Sequence, residues 1–177
     1  MKRGNKKGQF YLIAAIIISL VIIGFANLKN YSTRQSTITI SNFGEELQIE
    51  SENVLDFGTY NGYSSSSMQE LMKNLSADYI NYVRDGEESY FLFGDNSSIT
   101  VRGYSETEKT IYVDFGSGKT AMEMNAGQIS SSDFTPTSSS ITLTIEGKDY
   151  LFALKSGKNF YFILFEKING DEYAIRN

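Results

Sequence analysis

FYFILF, residues 160–165, is apolar on both faces. A strand sends alternate side chains to opposite sides of its sheet, so a run without polar alternation belongs in the interior of a sheet. Burying such side chains is favourable by roughly 1.5–3 kcal/mol each. The run therefore reads as a central strand. It must be covered by a second sheet or by a helix.

The neighbouring sequence continues the pattern in both directions. Downstream, Asn169-Gly170 is the strongest hairpin signal in the chain and leads to Tyr173 and Ile175. Upstream, Ser156-Gly157 turns the chain back to Tyr150, Phe152 and Leu154, and Gly147 turns it again. Ile141, Leu143 and Ile145 alternate with Thr142 and Thr144. Ile111, Val113 and Phe115 alternate with Tyr112 and Asp114, and Gly116-Ser117-Gly118 leads on to Met122 and Met124. Ile99 and Val101 mark one further strand and Tyr90–Phe93 another. Residues 127–139, rich in Ser and Thr and holding the single proline, Pro136, read as a loop. Seven or eight short antiparallel strands result.

Two helices precede them. Asn42-Phe43-Gly44-Glu45 is a capping pattern, Phe43, Leu47, Val54 and Leu55 share a rough face, and Gly58 is placed to end it. Glu50 and Ser51 interrupt that face. Ser67-Met68-Gln69-Glu70 is a capping box. Met68, Leu71, Met72, Leu75, Tyr79 and Val83 follow at helical spacing, and Gly86 stops the run. That stripe reads as core. The expected fold class is α+β: two helices, then an antiparallel β-rich region.

Charge is segregated along the 177 residues. Lys2, Arg3, Lys6, Lys7, Lys29 and Arg34 precede Ser36, and all 21 acidic residues lie at Glu45 or beyond. The net charge of -5 thus conceals a basic head and a body of -11. The acidic body argues against a nucleic-acid partner, which calls for a basic footprint. Cysteine and histidine are both absent. Disulfides, thiol nucleophiles, cysteine–zinc sites, imidazole metal sites and serine–histidine triads are therefore excluded. The reading is non-enzymatic, with no metal and no cofactor.

Phe10–Leu28, FYLIAAIIISLVIIGFANL, holds nineteen residues without a charge. As a helix it spans about 29 Å, close to the hydrocarbon thickness of a bilayer. The basic residues before it favour a cytoplasmic N-terminus and place the body outside. A cleaved secretory signal has a shorter apolar region, although Gly24-Phe25-Ala26-Asn27 offers a small-residue site.

Lys6-Lys7-Gly8-Gln9, running directly into Phe10-Tyr11-Leu12-Ile13, resembles the class III signal peptide of archaeal type IV pilin-like proteins. The resemblance covers about residues 1–30. It implies recognition at Lys6 and Lys7, cleavage after Gly8, and a mature N-terminus at Gln9. It further implies that the apolar helix is kept as an anchor and filament core. In bacterial type IV pilins the fifth mature residue is glutamate; here that position is Ile13.

The implied organisation is a leader at 1–8, a transmembrane helix at 9–29, a polar stalk at 30–41 and an extracytoplasmic α+β head at 42–177. The expected function is that of a membrane-anchored pilin-like structural protein of the cell surface, a filament or pseudopilus subunit. Its expected partners are the lipid bilayer, a prepilin peptidase and other pilin-like subunits. The alternatives are a solitary single-pass envelope protein whose head binds a protein or glycan, and, more remotely, an envelope hydrolase.

Other motifs carry less. Asn30, Asn74 and Asn96 each open an N-x-S pattern for N-glycosylation, and Asn96, in a turn, is the best acceptor. Asp85, Glu87, Glu88 and Asp95 bracket a strand, but match no EF-hand spacing and read as a solvated turn. Gly116-Ser117-Gly118-Lys119-Thr120 ends like a phosphate loop, yet it joins two strands and lacks the first glycine of that pattern.

Overall fold

The computed structural model describes residues 40–83, 87–157, 159–168 and 171–177. The chain divides into two units, Met1–Thr39 and Ile40–Asn177, and the described residues all belong to the second. The leader, the apolar run and the stalk up to residue 39 lie outside the described residues.

Helix α1 covers residues 40–60 and α2 covers Ser65–Val83. Among the described residues nine strands follow: β1 Glu87–Asp95, β2 Ser98–Ser105, β3 Lys109–Asp114, β4 Lys119–Met124, β5 Gln128–Phe134, β6 Ser140–Ile145, β7 Lys148–Ala153, β8 Asn159–Ile168 and β9 Asp171–Arg176. They form two antiparallel sheets, ordered β5-β2-β1-β8-β9 and β4-β3-β6-β7. FYFILF lies in β8, between β1 and β9, as the missing alternation requires.

Strand period distributes β1 and β8 over two cores. Tyr90, Leu92, Ile163 and Phe165 face the four-stranded sheet and join Ile111, Val113, Met122, Ile141, Leu143 and Phe152. Phe91, Phe93, Phe160, Phe162 and Leu164 face the helices and join Ile40, Leu47, Met68, Met72, Tyr79 and Ile80. The five-stranded sheet is thus the middle layer, with helices on one face and the second sheet on the other. Gly103 of β2 makes room in the sandwich: a Cβ there would stand 2.8 Å from both Met124 Cε and Tyr90 Cδ1.

Several local expectations are corrected. α1 already includes Ile40 and Ser41, which the sequence reading gives to the stalk, so Asn42 lies inside the helix and is not its cap. Ile40 is drawn in because it is fully buried in the helix–sheet core. Gly58 does not end α1. The helix passes through it against Met68 and closes at Gly62, whose φ of 66° is the left-handed value glycine accepts. Tyr63 N–H donates to Gly58 O and Gly62 N–H to Thr59 O, the paired bonds of a Schellman cap. The interruption at Ser51 is absorbed, since its hydroxyl donates to Gln48 O at 2.9 Å. α2 is capped by Ser64, which accepts the Ser67 N–H at 3.2 Å, so the helix starts before the expected Ser67 box.

The largest correction is at residues 127–139. Gln128–Phe134 is not loop but β5, the edge strand beside β2. Its serines hid it, and its pairing is nonlocal: Ile99 lies opposite Phe134 and Tyr104 opposite Ile129. Among the described residues the strand count is therefore nine. β8 and β9 pair as a hairpin, with Ile168 opposite Asp171. The Asn169-Gly170 turn and Gly86 lie outside the described residues.

Candidate functional site

The facing stripes of α1 and α2 do not close over their whole length. Phe43, Glu46, Leu47 and Glu50 on α1 face Leu75, Asp78, Tyr79 and Tyr82 on α2 across a groove of about 400 Å³. Helical spacing puts each set on one face. Leu47 and Tyr79 are buried, Phe43 and Leu75 are half-buried, and the three carboxylates stand exposed on the rim. Phe43 and Tyr82 meet edge to face with ring centroids 5.8 Å apart, and Tyr82 is 76 % exposed. Among the described residues no ion pair involves Glu46, Glu50 or Asp78. Residues 40–83 carry seven acidic side chains and one basic one, Lys73. Such a lining favours a cation with an apolar or planar body.

At the sheet end of the groove a second cluster is buried. Glu87 of β1 lies directly opposite Glu166 of β8, on the helix-facing side. Like charges placed so repel. One oxygen of each carboxylate is buried without a hydrogen-bond partner, and so is the Tyr79 hydroxyl. Burial first, then the charge of Glu166, pushes the Glu87 carboxyl up to about 7. Burial also raises Glu166. Burial, followed by the charges of Glu87 and Glu46, pushes the Tyr79 phenol up. The cluster therefore holds protons more readily than isolated side chains do.

The sandwich side handles its buried acid differently. Glu88 faces away from Glu87 and accepts from Lys109 Nζ at 2.7 and 2.9 Å and from Tyr90 OH at 3.2 Å. Lys109 also donates to Glu146 at 2.6 Å. Burial alone would lower Lys109, but its bonds to Glu146 and Glu88 outweigh that, and it is raised.

The sequence-predicted residues are placed as follows. Lys6, Lys7, Gly8, Gln9 and Asn30 lie outside the described residues. Asn96 sits exposed in the β1–β2 turn, where Asp95 Oδ1 accepts from the Ser97 and Ser98 N–H groups at 2.9 and 3.3 Å. Asn74 is exposed on α2, but Ser76, the hydroxyl of its pattern, is fully buried and donates to Lys73 O. The acids around β1 do not converge: Glu87 and Glu88 face opposite layers, Asp95 is at the far end of the strand, and Asp85 lies outside the described residues. Among the described residues no group of three or more acids is arranged to hold a metal ion. Residues 116–118 turn β3 into β4, with Asp114 Oδ1 accepting the N–H groups of Gly116 and Gly118 at 2.8 and 3.1 Å.

Sequence reasoning found both apolar stripes and read that of α2 as core. It missed the groove they leave, although Glu46 and Glu50 at one helical spacing beside Phe43 and Leu47 signalled a wet edge. It missed the Glu87–Glu166 pairing because that depends on register between strands far apart in the chain.

Among the described residues no helix is long and apolar enough to cross a membrane. Comparison with protein-family models, with curated proteins and with solved structures finds no match to this chain.

Proposed function

We propose that this chain is a membrane-anchored, pilin-like structural protein of the cell surface, a subunit of a filament or pseudopilus. Phe10–Leu28 is its anchor and filament-core helix, and the α+β unit is its outward-facing head. The observation that carries the reading is the division at residue 40. Among the described residues, Ile40–Asn177 hold two hydrophobic cores, and the nineteen-residue uncharged run belongs to the other unit. Such a run requires an apolar environment, and a bilayer or a bundle of like helices supplies one.

The four basic residues at 2–7 suit a cytoplasmic flank but hinder burial in an apolar bundle. The pilin-like leader resolves the conflict by cleavage between Gly8 and Gln9. The role is structural, without a catalytic centre, cofactor or nucleic acid. The partners are the bilayer, a prepilin peptidase and other pilin-like subunits.

N-terminal mass spectrometry of native protein tests this reading. The expected start is Gln9 or its pyroglutamate form. An intact Met1–Gly8 leader, or a start at Asn27, overturns it. An intact leader would favour a second reading, a solitary single-pass envelope protein with a partner-binding head. The anionic groove supports that alternative, because it offers a binding surface without any filament.

A further inference from the structure

We propose that the groove between α1 and α2 docks the basic stalk segment Lys29–Arg34 of a second copy of this chain, with Arg34 seated in it. The inference rests on the filament reading and deepens it by naming a contact between subunits.

Charge is the first argument. Residues 1–35 hold six basic and no acidic side chains, whereas the helical layer, residues 40–83, holds seven acids against one base. Once a leader ending at Gly8 is removed, Lys29 and Arg34 are the only cations ahead of the head. The rim acids Glu46, Glu50 and Asp78 have no ion-pair partner among the described residues.

Shape and chemistry select the occupant. No acid group among the described residues is arranged for a metal, so the charge does not point to a bare cation. An anionic rim repels lipid phosphate. Phe43, Tyr79 and Tyr82 supply ring surface, which a planar guanidinium stacks on while its fork pairs with carboxylates. Tyr79 is nine-tenths buried along the groove, and its hydroxyl lacks a hydrogen-bond partner. In a bundle of parallel, staggered anchors the stalk of one copy passes the head of the next. The donor is therefore a neighbouring subunit.

The absence of cysteine from the chain makes the contact testable in intact membranes. One tagged full-length chain carries Gln35→Cys, beside the proposed arginine. A differently tagged, co-expressed chain carries Asn81→Cys, exposed one helical turn from Asp78. A control pair carries Ile17→Cys in both chains, within the anchor. Mild oxidation should join the two tags through both pairs. Adding Glu46→Lys and Asp78→Lys to the groove chain should cut the first cross-link roughly fivefold. Adding Arg34→Glu to the stalk chain should restore it, which a merely misfolded head would not allow.

High salt should weaken the first cross-link and leave the anchor pair unchanged. A cross-linked anchor pair with no groove product overturns the docking proposal and leaves the filament reading standing. A groove product formed only when both cysteines are in one chain also overturns it. Failure of both pairs overturns the filament reading and the docking proposal together.

Discussion

The two cores of the head share a sheet but differ in how they treat polar groups. The sandwich core is lined by Ile, Val, Leu, Met and aromatic side chains, and its buried acid, Glu88, is bonded by both Lys109 and Tyr90. Across the sheet, the helix–sheet core contains every buried polar side-chain atom found without a partner among the described residues: Tyr79 OH, Glu87 Oε2, Arg102 Nε and Glu166 Oε2. Arg102 does reach α2 through Nη1, which donates to Lys73 O at 2.6 Å, yet its Nε stays unsatisfied. Unsatisfied buried groups are costly. The sandwich is thus the unconditional half of the fold. The helical layer is the half whose stability depends on protons.

Adjacent residues of β8 give the largest test of that contrast. Ile163 is fully buried in the sandwich and Leu164 is fully buried under the helices. Ile163→Ala should cost about 4 kcal/mol and Leu164→Ala about 3 kcal/mol, because the grooved layer relaxes more readily around a cavity. Urea midpoints at constant slope, measured on residues 36–177, read the difference. That fragment should itself unfold cooperatively, as followed by near-ultraviolet circular dichroism. A larger loss for Leu164→Ala would break the contrast.

Lys109→Met tests the satisfied acid. It strands Glu88, although Lys167 Nζ remains 3.8 Å away. The expected loss is about 2–3 kcal/mol, somewhat below that of breaking a fully buried pair. Thermal or urea unfolding at neutral pH measures it. A cost near zero would show that the Glu88 network contributes nothing.

The acid pair under the helices should behave in the opposite sense to most carboxylates. The folded pKa of Glu87 is raised from 4.5 to about 7, so the native state holds the proton more tightly than the unfolded chain. Its contribution is greatest below about 4.5 and is lost as pH rises towards about 7. With solvent screening at the end of the interface, the loss is about 1–2 kcal/mol. Glu87→Gln should remove that slope and be stabilising at pH 8. An unchanged pH profile in the variant would show that Glu87 ionises without penalty.

The smallest effect is at the surface. Asn96→Gln should change stability by less than about 0.5 kcal/mol. In native material from a glycosylating host, intact-peptide mass spectrometry should find glycan at Asn96 and none at Asn74, whose partner hydroxyl is buried. Glycan at Asn74 alone would reverse that ranking.

Much of this architecture was readable from period and turn chemistry. Alternation at Ile111–Phe115 and Ile141–Ile145, together with the unbroken run at Phe160–Phe165, located strands that the structure contains. Local signals failed where a distant contact decided the outcome. Ile40 is helical because a core receives it, Gly58 stays helical because Met68 packs on it, and Gln128–Phe134 is a strand because β2 offers it an edge. The groove was half legible: its apolar floor gave a helical stripe, but whether two stripes meet or gape is a property of their packing. The Glu87–Glu166 pair was illegible for the same reason that register is nonlocal.

The interleaving of the sheets has a consequence for biogenesis. After β2 the chain leaves for β3 and β4, returns for β5, leaves again for β6 and β7, and only then lays β8 beside β1. Phe91 and Phe93 emerge early, yet the strand that flanks them on one side is nearly the last to be made. A nascent chain therefore cannot pair β1 on both sides until residue 168 has been made. Such long-range closure is slow, on the millisecond-to-second scale of β-rich domains. Truncation before β8 would leave an aromatic edge at β1 open to aggregation and proteolysis, so the order of the strands exposes an incomplete chain.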